Sequence, residues 1–169
     1  MPVQRLNHAV LFVRDVKRSV AFYQETLGFK VVMGMPGAAF LQASGSSNDH
    51  DLGLFEIGAQ AGPSGAGRST VGLYHLAWEV DTLRELERIA GKLGELNALV
   101  GASDHSTTKA LYAKDPDELE FEVSWLVPAD LLTEETLSGR AGIKPLDIAR
   151  EKERYGADTR GGLGVSIPV

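Results

Sequence analysis

The sequence predicts an α+β fold. Two tandem βαβββ modules form a curved mixed sheet, a half-barrel with helices on its outer face, and a short helical tail follows. Three observations predict it. The pattern of strand, helix and three strands occurs twice. The two copies open on "NHAVLFV" (Asn7–Val13) and "YHLAWEV" (Tyr74–Val80), with His8 and His75 in matching places 67 positions apart. The strands pair one wholly apolar face with one that mixes His, Glu and small residues.

The first module, residues 5–58, begins with the β-rich run "LNHAVLFV". A helix follows in "RDVKRSVAFYQETLGF", where Val16, Val20, Phe22, Tyr23 and Leu27 make an apolar stripe. Asp15 is its N-cap and Gly28 its stop. "KVVMGM" and "AAFLQAS" are strands that turn at Pro36-Gly37. "HDLGLFEIG" (His50–Gly58) is the fourth strand. Ala59–Thr70, rich in Gly, Ala and Ser, links the halves. The second module, residues 71–127, repeats the order. "VGLYHLAWEV" is a strand, and "DTLRELERIAGKLGEL" is a helix with Asp81 as N-cap. "ALVGAS", "TKALYAKD" and "LEFEVSW" are strands, with a turn at "DPDE". Together they make one domain, residues 1–127. In the tail, residues 128–169, "PADLLTEETL" and "PLDIAREKERYG" predict two short helices, and "GADTRGGLGVSIPV" predicts irregular chain.

The bulk numbers exclude several classes. The chain has 169 residues, 43% hydrophobic and 24% charged, enough for one globular core. A net charge of −6 without a long basic run argues against nucleic acid and anionic membrane as partners. There is no cysteine, so disulfides, thiolate metal sites and cysteine nucleophiles are excluded. "MPVQRLNHAVLFV" lacks the apolar core and cleavage site of a signal peptide, so a cytoplasmic protein is expected.

The strand faces point to chemistry. Tyr74, Leu76, Trp78 and Val80 share an apolar face, and Leu73, His75, Ala77 and Glu79 the mixed one. Leu119, Phe121, Val123 and Trp125 are apolar, opposite Glu120, Glu122 and Ser124. His50, Leu52, Leu54 and Glu56 share parity. Such a sheet curls into a trough whose polar floor gathers His and Glu. That combination is worth considering as a metal site.

Together, "LNHAVLFVRDVKRSVAFYQETLGFKVV", "GLYHLAWEVDTL" and "LYAKDPDELEFEVSW" resemble the vicinal oxygen chelate superfamily. That group includes glyoxalase I, extradiol catechol dioxygenases, fosfomycin-resistance proteins and bleomycin-binding proteins. The resemblance spans about residues 5–127. It implies His8, His75 and Glu122 as metal ligands. The usual closing motif has Gly-Asn where this chain has Glu118-Leu119, but the spacing to Glu122 is kept.

Among members, the extradiol type fits the remaining residues. "HDLGL" supplies His50 as the acid–base group, and "DHSTTKALY" supplies His105 and Tyr112, ten residues before Glu122, to orient substrate oxygens. Two His and one carboxylate leave three positions open, the arrangement for Fe(II) that takes a bidentate catechol-like diol and O2. Mn2+, Ni2+ and Zn2+ are the other candidate ions. The resemblance therefore implies a ring-cleaving dioxygenase of aromatic catabolism, expected as a homodimer. The first alternative is a glyoxalase I-like lyase or isomerase with Glu56 as fourth ligand. The second is a metal-free protein that binds a small molecule such as a drug. Met33, Phe40, Phe55, Trp125 and the tail are the expected substrate wall.

Overall fold

A computed structural model describes residues 2–3, 5–66 and 69–162. The chain forms two compact units. The first is Met1–Gly65 with Asp115–Leu119, and the second is Ala66–Lys114 with Glu120–Val169. Each repeat closes its own sheet.

In the first unit, β1 (Ala9–Val13) leads to α1 (Val16–Leu27), then β2 (Lys30–Met35), β3 (Ala38–Gln42) and β4 (Leu52–Glu56). The sheet order is β1-β4-β3-β2, with β1 parallel to β4 and the other pairs antiparallel. Asp15 caps α1 as expected, its side chain accepting from Lys17 N and Arg18 N, and the helix stops at Gly28 with a left-handed φ of 70°. α1 packs its Phe22 and Tyr23 face on β3 and β4, where Leu41, Leu52 and Leu54 are fully buried.

The second unit repeats this with β5 (Leu76–Glu79), α2 (Leu83–Glu95), β6 (Leu99–Asp104), β7 (Thr108–Lys114) and β8 (Glu120–Leu126). The N-cap of α2 is Thr82, whose side chain accepts from Glu85 N, one residue beyond the expected Asp81. Thr82 lies 67 positions after Asp15, so the cap follows the repeat. Leu83, Leu86, Ile89 and Leu93 of α2 are essentially unexposed, each stabilising by about 1.5–3 kcal/mol. The likeness of the units extends to an irregularity. The register shifts between Val31 and Met33 in β2, and between Leu99 and Gly101 in β6.

The C-terminal segment belongs to the second unit. It adds a short 3-10 turn (Ala129–Leu131), α3 (Glu134–Gly139), β9 (Lys144–Pro145) and α4 (Ile148–Tyr155). The two short helices stand where the sequence predicts them. β9 was not anticipated; it extends the sheet to β5-β8-β7-β6-β9 by pairing with β6. α4 packs on α2, with Lys152 bound to Glu87 and Arg84 to Asp158. Trp125 corrects one expectation. It is no part of a substrate wall, because it is fully buried against Tyr155 and its Nε1 donates to Thr159 O. Its neighbours on β8, Phe121 and Val123, mark that face as the covered one. Residues 157–162 carry no helix or strand, as expected, and 163–169 lie outside the described residues. Among the described residues no helix is long and apolar enough to cross a membrane.

Candidate functional site

In the second unit, β5 and β8 run parallel, with Ala77 opposite Glu122 and Leu76 opposite Phe121. His75 immediately precedes β5 and keeps its parity, so it falls on the Glu122 side. Its Nε2 stands 3.3 Å from Glu122 Oε2. Two ligand atoms at bonds of about 2.1 Å on one ion are about 3.0 Å apart at a right angle and about 3.4 Å apart at the tetrahedral angle. Among the described residues, His75 Nδ1 is buried and makes no hydrogen bond, so no other polar group holds the ring. β7 places Tyr112 directly opposite Glu122. His105, in the turn between β6 and β7, holds the Tyr112 hydroxyl at 2.9 Å through Nε2. Burial first, then the charge of Glu122 and the neighbouring Tyr74, push the Tyr112 hydroxyl above its usual pKa. Tyr112 is therefore a neutral hydrogen-bond donor across the physiological range.

In the first unit, His8 precedes β1 as His75 precedes β5. Its Nδ1 lies 2.7 Å from Asn7 Oδ1, which places the N–H there and leaves the Nε2 lone pair for a ligand. The His50 ring lies 4.5 Å from His8 and 5.1 Å from Phe40. The Asp51 carboxylate holds the loop before β4, accepting from Ala43 N, Ser46 Oγ and Asn48 Nδ2. This buried aspartate is a positioning residue the sequence reading missed; only its place after His50 signalled it.

That loop also corrects a face assignment. Leu52 and Leu54 are fully buried on the side that packs against α1. Phe40 lies opposite Gly53, on the other side, and His50 joins Phe40 because the chain bends around Asp51 before the strand begins. Glu56 follows Leu52 and Leu54. It pairs with buried Val13, and its Oε2 accepts from Val16 N at 3.0 Å, where a carboxylate complements the helix N-terminus. Glu56 thus does not share a face with His50, and it serves α1 in place of the fourth-ligand role.

The repeat identifies the residue of the first unit that matches Glu122 of the second. Val10, two beyond His8, lies opposite Gly53; Ala77, two beyond His75, lies opposite Glu122. Gly53 is in turn opposite Phe40, as Glu122 is opposite Tyr112. The first unit thus has no carboxylate where the second has Glu122. Its face carries Val10, Phe12, Met33, Phe40 and Phe55 around Gly53, with Phe40 and Phe55 edge to face at 5.7 Å. Among the described residues, no three His, Asp or Glu side chains converge as a set that could hold a metal ion. His8 lies with His50, and His75 with Glu122.

A family model described as the Glyoxalase/Bleomycin resistance protein/Dioxygenase superfamily matches residues 5–123. The chain is 33% identical over 112 residues to a catechol-2,3-dioxygenase of Bacillus subtilis (strain 168). That match covers 66% of the chain and only 38% of the relative's length. It is 25% identical over 129 residues to the metallothiol transferase FosB of Lysinibacillus sphaericus (strain C3-41), covering 72% of the chain and 82% of that protein. Among solved structures, a glyoxylase/bleomycin resistance protein/dioxygenase domain from Frankia sp. EAN1pec superposes with a TM-score of 0.61 at 20% identity, over 76% of this chain and 96% of that one. The duplicated unit and the long family match lead to one conclusion: the chain belongs to the glyoxalase/bleomycin resistance/dioxygenase superfamily, the vicinal oxygen chelate proteins.

Proposed function

We propose that the protein is a metal-dependent extradiol-type dioxygenase that opens a catechol-like ring with O2, using His8, His75 and Glu122 as ligands. The observation that carries this reading is the 3.3 Å approach of His75 Nε2 to Glu122 Oε2 in one repeat, with Gly53 in place of a carboxylate at the matching register position of the other. It supports a donor set of two imidazoles and one carboxylate, which suits Fe(II), with Mn2+ as a second choice. Bound there, such an ion supplies Lewis acidity that lowers the pKa of a diol hydroxyl.

The chain's own residues do the rest. Tyr112, held neutral by burial and by Glu122, donates to a substrate oxygen. His105 fixes the direction of that hydroxyl. His50 takes a proton from the second substrate hydroxyl and returns it to the departing oxygen. The apolar face of Val10, Phe12, Met33, Phe40 and Phe55 suits an aromatic ring.

A second reading is group transfer to a small molecule on the same three ligands. Its support is that the match spans 82% of the metallothiol transferase and 38% of the dioxygenase. One experiment decides. Fe(II)-loaded protein is incubated with catechols and air, and oxygen uptake and yellow ring-cleavage product are followed. Uptake with product, lost in His75→Ala together with bound metal, is the expected result. In a parallel incubation with a thiol and a small electrophile, thiol consumption without oxygen uptake selects the transferase. Full metal content in His75→Ala overturns the ligand assignment.

A further inference from the structure

Two motifs stand out in the sequence and are not used by the site: the run from Arg14 to Tyr23 and the turn Asp115-Pro116-Asp117-Glu118. In the first unit they lock together. Arg14 Nη1 donates to Asp117 Oδ1 at 2.7 Å, and Arg14 N donates to Asp117 Oδ2 at 3.0 Å. Tyr23 donates its hydroxyl to Asp115 Oδ2 at 3.1 Å. The other oxygen of Asp115 accepts from Asp117 N and Leu119 N, which winds the turn. Tyr23, Asp115 and Asp117 are all buried.

The turn is strained. Glu118 has a φ of 68°, left-handed for a residue with a side chain, at a cost of about 1–2 kcal/mol. Strain of this kind persists where the surroundings over-determine the backbone. The chain passes from Leu119 straight into β8, where Glu120 already pairs with Lys114, and Glu122 comes two residues later. An extended chain has no slack to absorb a displaced turn. A slip of one residue would carry Glu122 to the opposite face.

We propose that Arg14–Asp117 and Tyr23–Asp115 form a clasp that positions Glu122 for metal binding; this rests on reading Glu122 as a ligand. Arg14 and Tyr23 are positioning residues. They act through the turn, by their bonds to Asp117 and Asp115.

Mn2+ titration of the full chain, followed by the EPR signal of the free ion, tests the clasp. Tyr23→Phe and Arg14→Lys are each compared alone and combined with Glu122→Gln. Each single clasp variant is expected to weaken Mn2+ binding about tenfold while keeping wild-type far-UV circular dichroism. In the Glu122→Gln background the same changes add no further loss, because their effect runs through that carboxylate. Asp117→Asn replaces any variant that does not fold. Full Mn2+ affinity in the clasp variants overturns the proposal, as does an equal loss with and without Glu122. Unchanged Mn2+ binding in Glu122→Gln alone removes the ligand reading itself and the clasp's role with it, a result distinct from the other two.

Discussion

Gly53 holds in the first unit the register position that Glu122 holds in the second, each opposite the residue two places beyond the repeated histidine. This relation predicts the effect of one substitution. A Cβ at position 53 would meet Val10 Cγ2 at 3.4 Å and the Phe40 ring at 3.7 Å, ordinary contacts that need no backbone change. Gly53→Glu should therefore fold and supply a carboxylate oxygen as a fourth donor. Mn2+ should bind at least as tightly as to the native chain, while oxygen uptake with catechol falls by about tenfold or more, because one position for diol or O2 is taken. Mn2+ titration and an oxygen electrode read the two effects. Weakened Mn2+ binding would show that position 53 does not face the ion.

Alkaline pH should unfold the protein in step with tyrosine ionisation. Burial, then the Asp115 charge, pushes the Tyr23 hydroxyl well above its ordinary value, and Tyr112 is raised by burial and Glu122. A folded-state pKa above the unfolded value of about 10 gives stability that is present below that pH and lost as pH rises through the folded value. Absorbance at 295 nm should then include a late fraction that appears only as circular dichroism is lost. Tyr23→Phe should make the alkaline fall in stability shallower. Four tyrosines ionising together with the fold intact would refute this.

The fold was legible because the repeat is a pattern of patterns. Matched histidines, the Asp15 cap, the Gly28 stop and alternating strands each agree with the others. The strand placement of candidate residues was legible where they sit on regular strands, as with Glu122 and Tyr112. It was misread at His50 and Glu56, because parity holds only inside the strand and β4 begins at Leu52, after the bend at Asp51. Gly53 carried no signal of its own; its meaning appears only once strand pairing is known. β9 and the burial of Trp125 depend on contacts distant in sequence, between the tail and β6, α2 and β8, which no local period reports.

Lys109 should be among the costliest side chains to truncate. It is fully buried on β7, bonded to Asp104 Oδ1 at 2.5 Å and Ser106 O at 3.0 Å and paired with Glu151 Oε2 at 2.9 Å. Lys109→Met leaves the buried Glu151 carboxylate without its cation and takes one from half-buried Asp104, at a cost of about 3–5 kcal/mol. Replacing Glu151 by Met as well should recover part of it. Burial pushes the Asp104 carboxyl up, but its bonds to Lys109 and Ser106 N and the Lys109 charge outweigh this and hold it below its ordinary value. The stability linked to Asp104 is therefore present above the unfolded value of about 3.9 and lost as pH falls through the folded one. Lys109→Met should flatten that acid limb, which denaturant unfolding at a series of pH values will read.

Glu118→Gly should raise stability. The left-handed φ of Glu118 costs about 1–2 kcal/mol that glycine does not incur. Glycine's greater freedom in the unfolded chain returns about 0.5–1 kcal/mol of that gain. The net is about 0–1.5 kcal/mol, which at its midpoint is a rise of about 2–3 °C in Tm for a chain of this length. Glu118→Ala keeps a Cβ in the same backbone conformation and should show no such rise. If the alanine variant gains as much as the glycine one, the effect belongs to removal of the carboxylate, and the strained turn is not its cause.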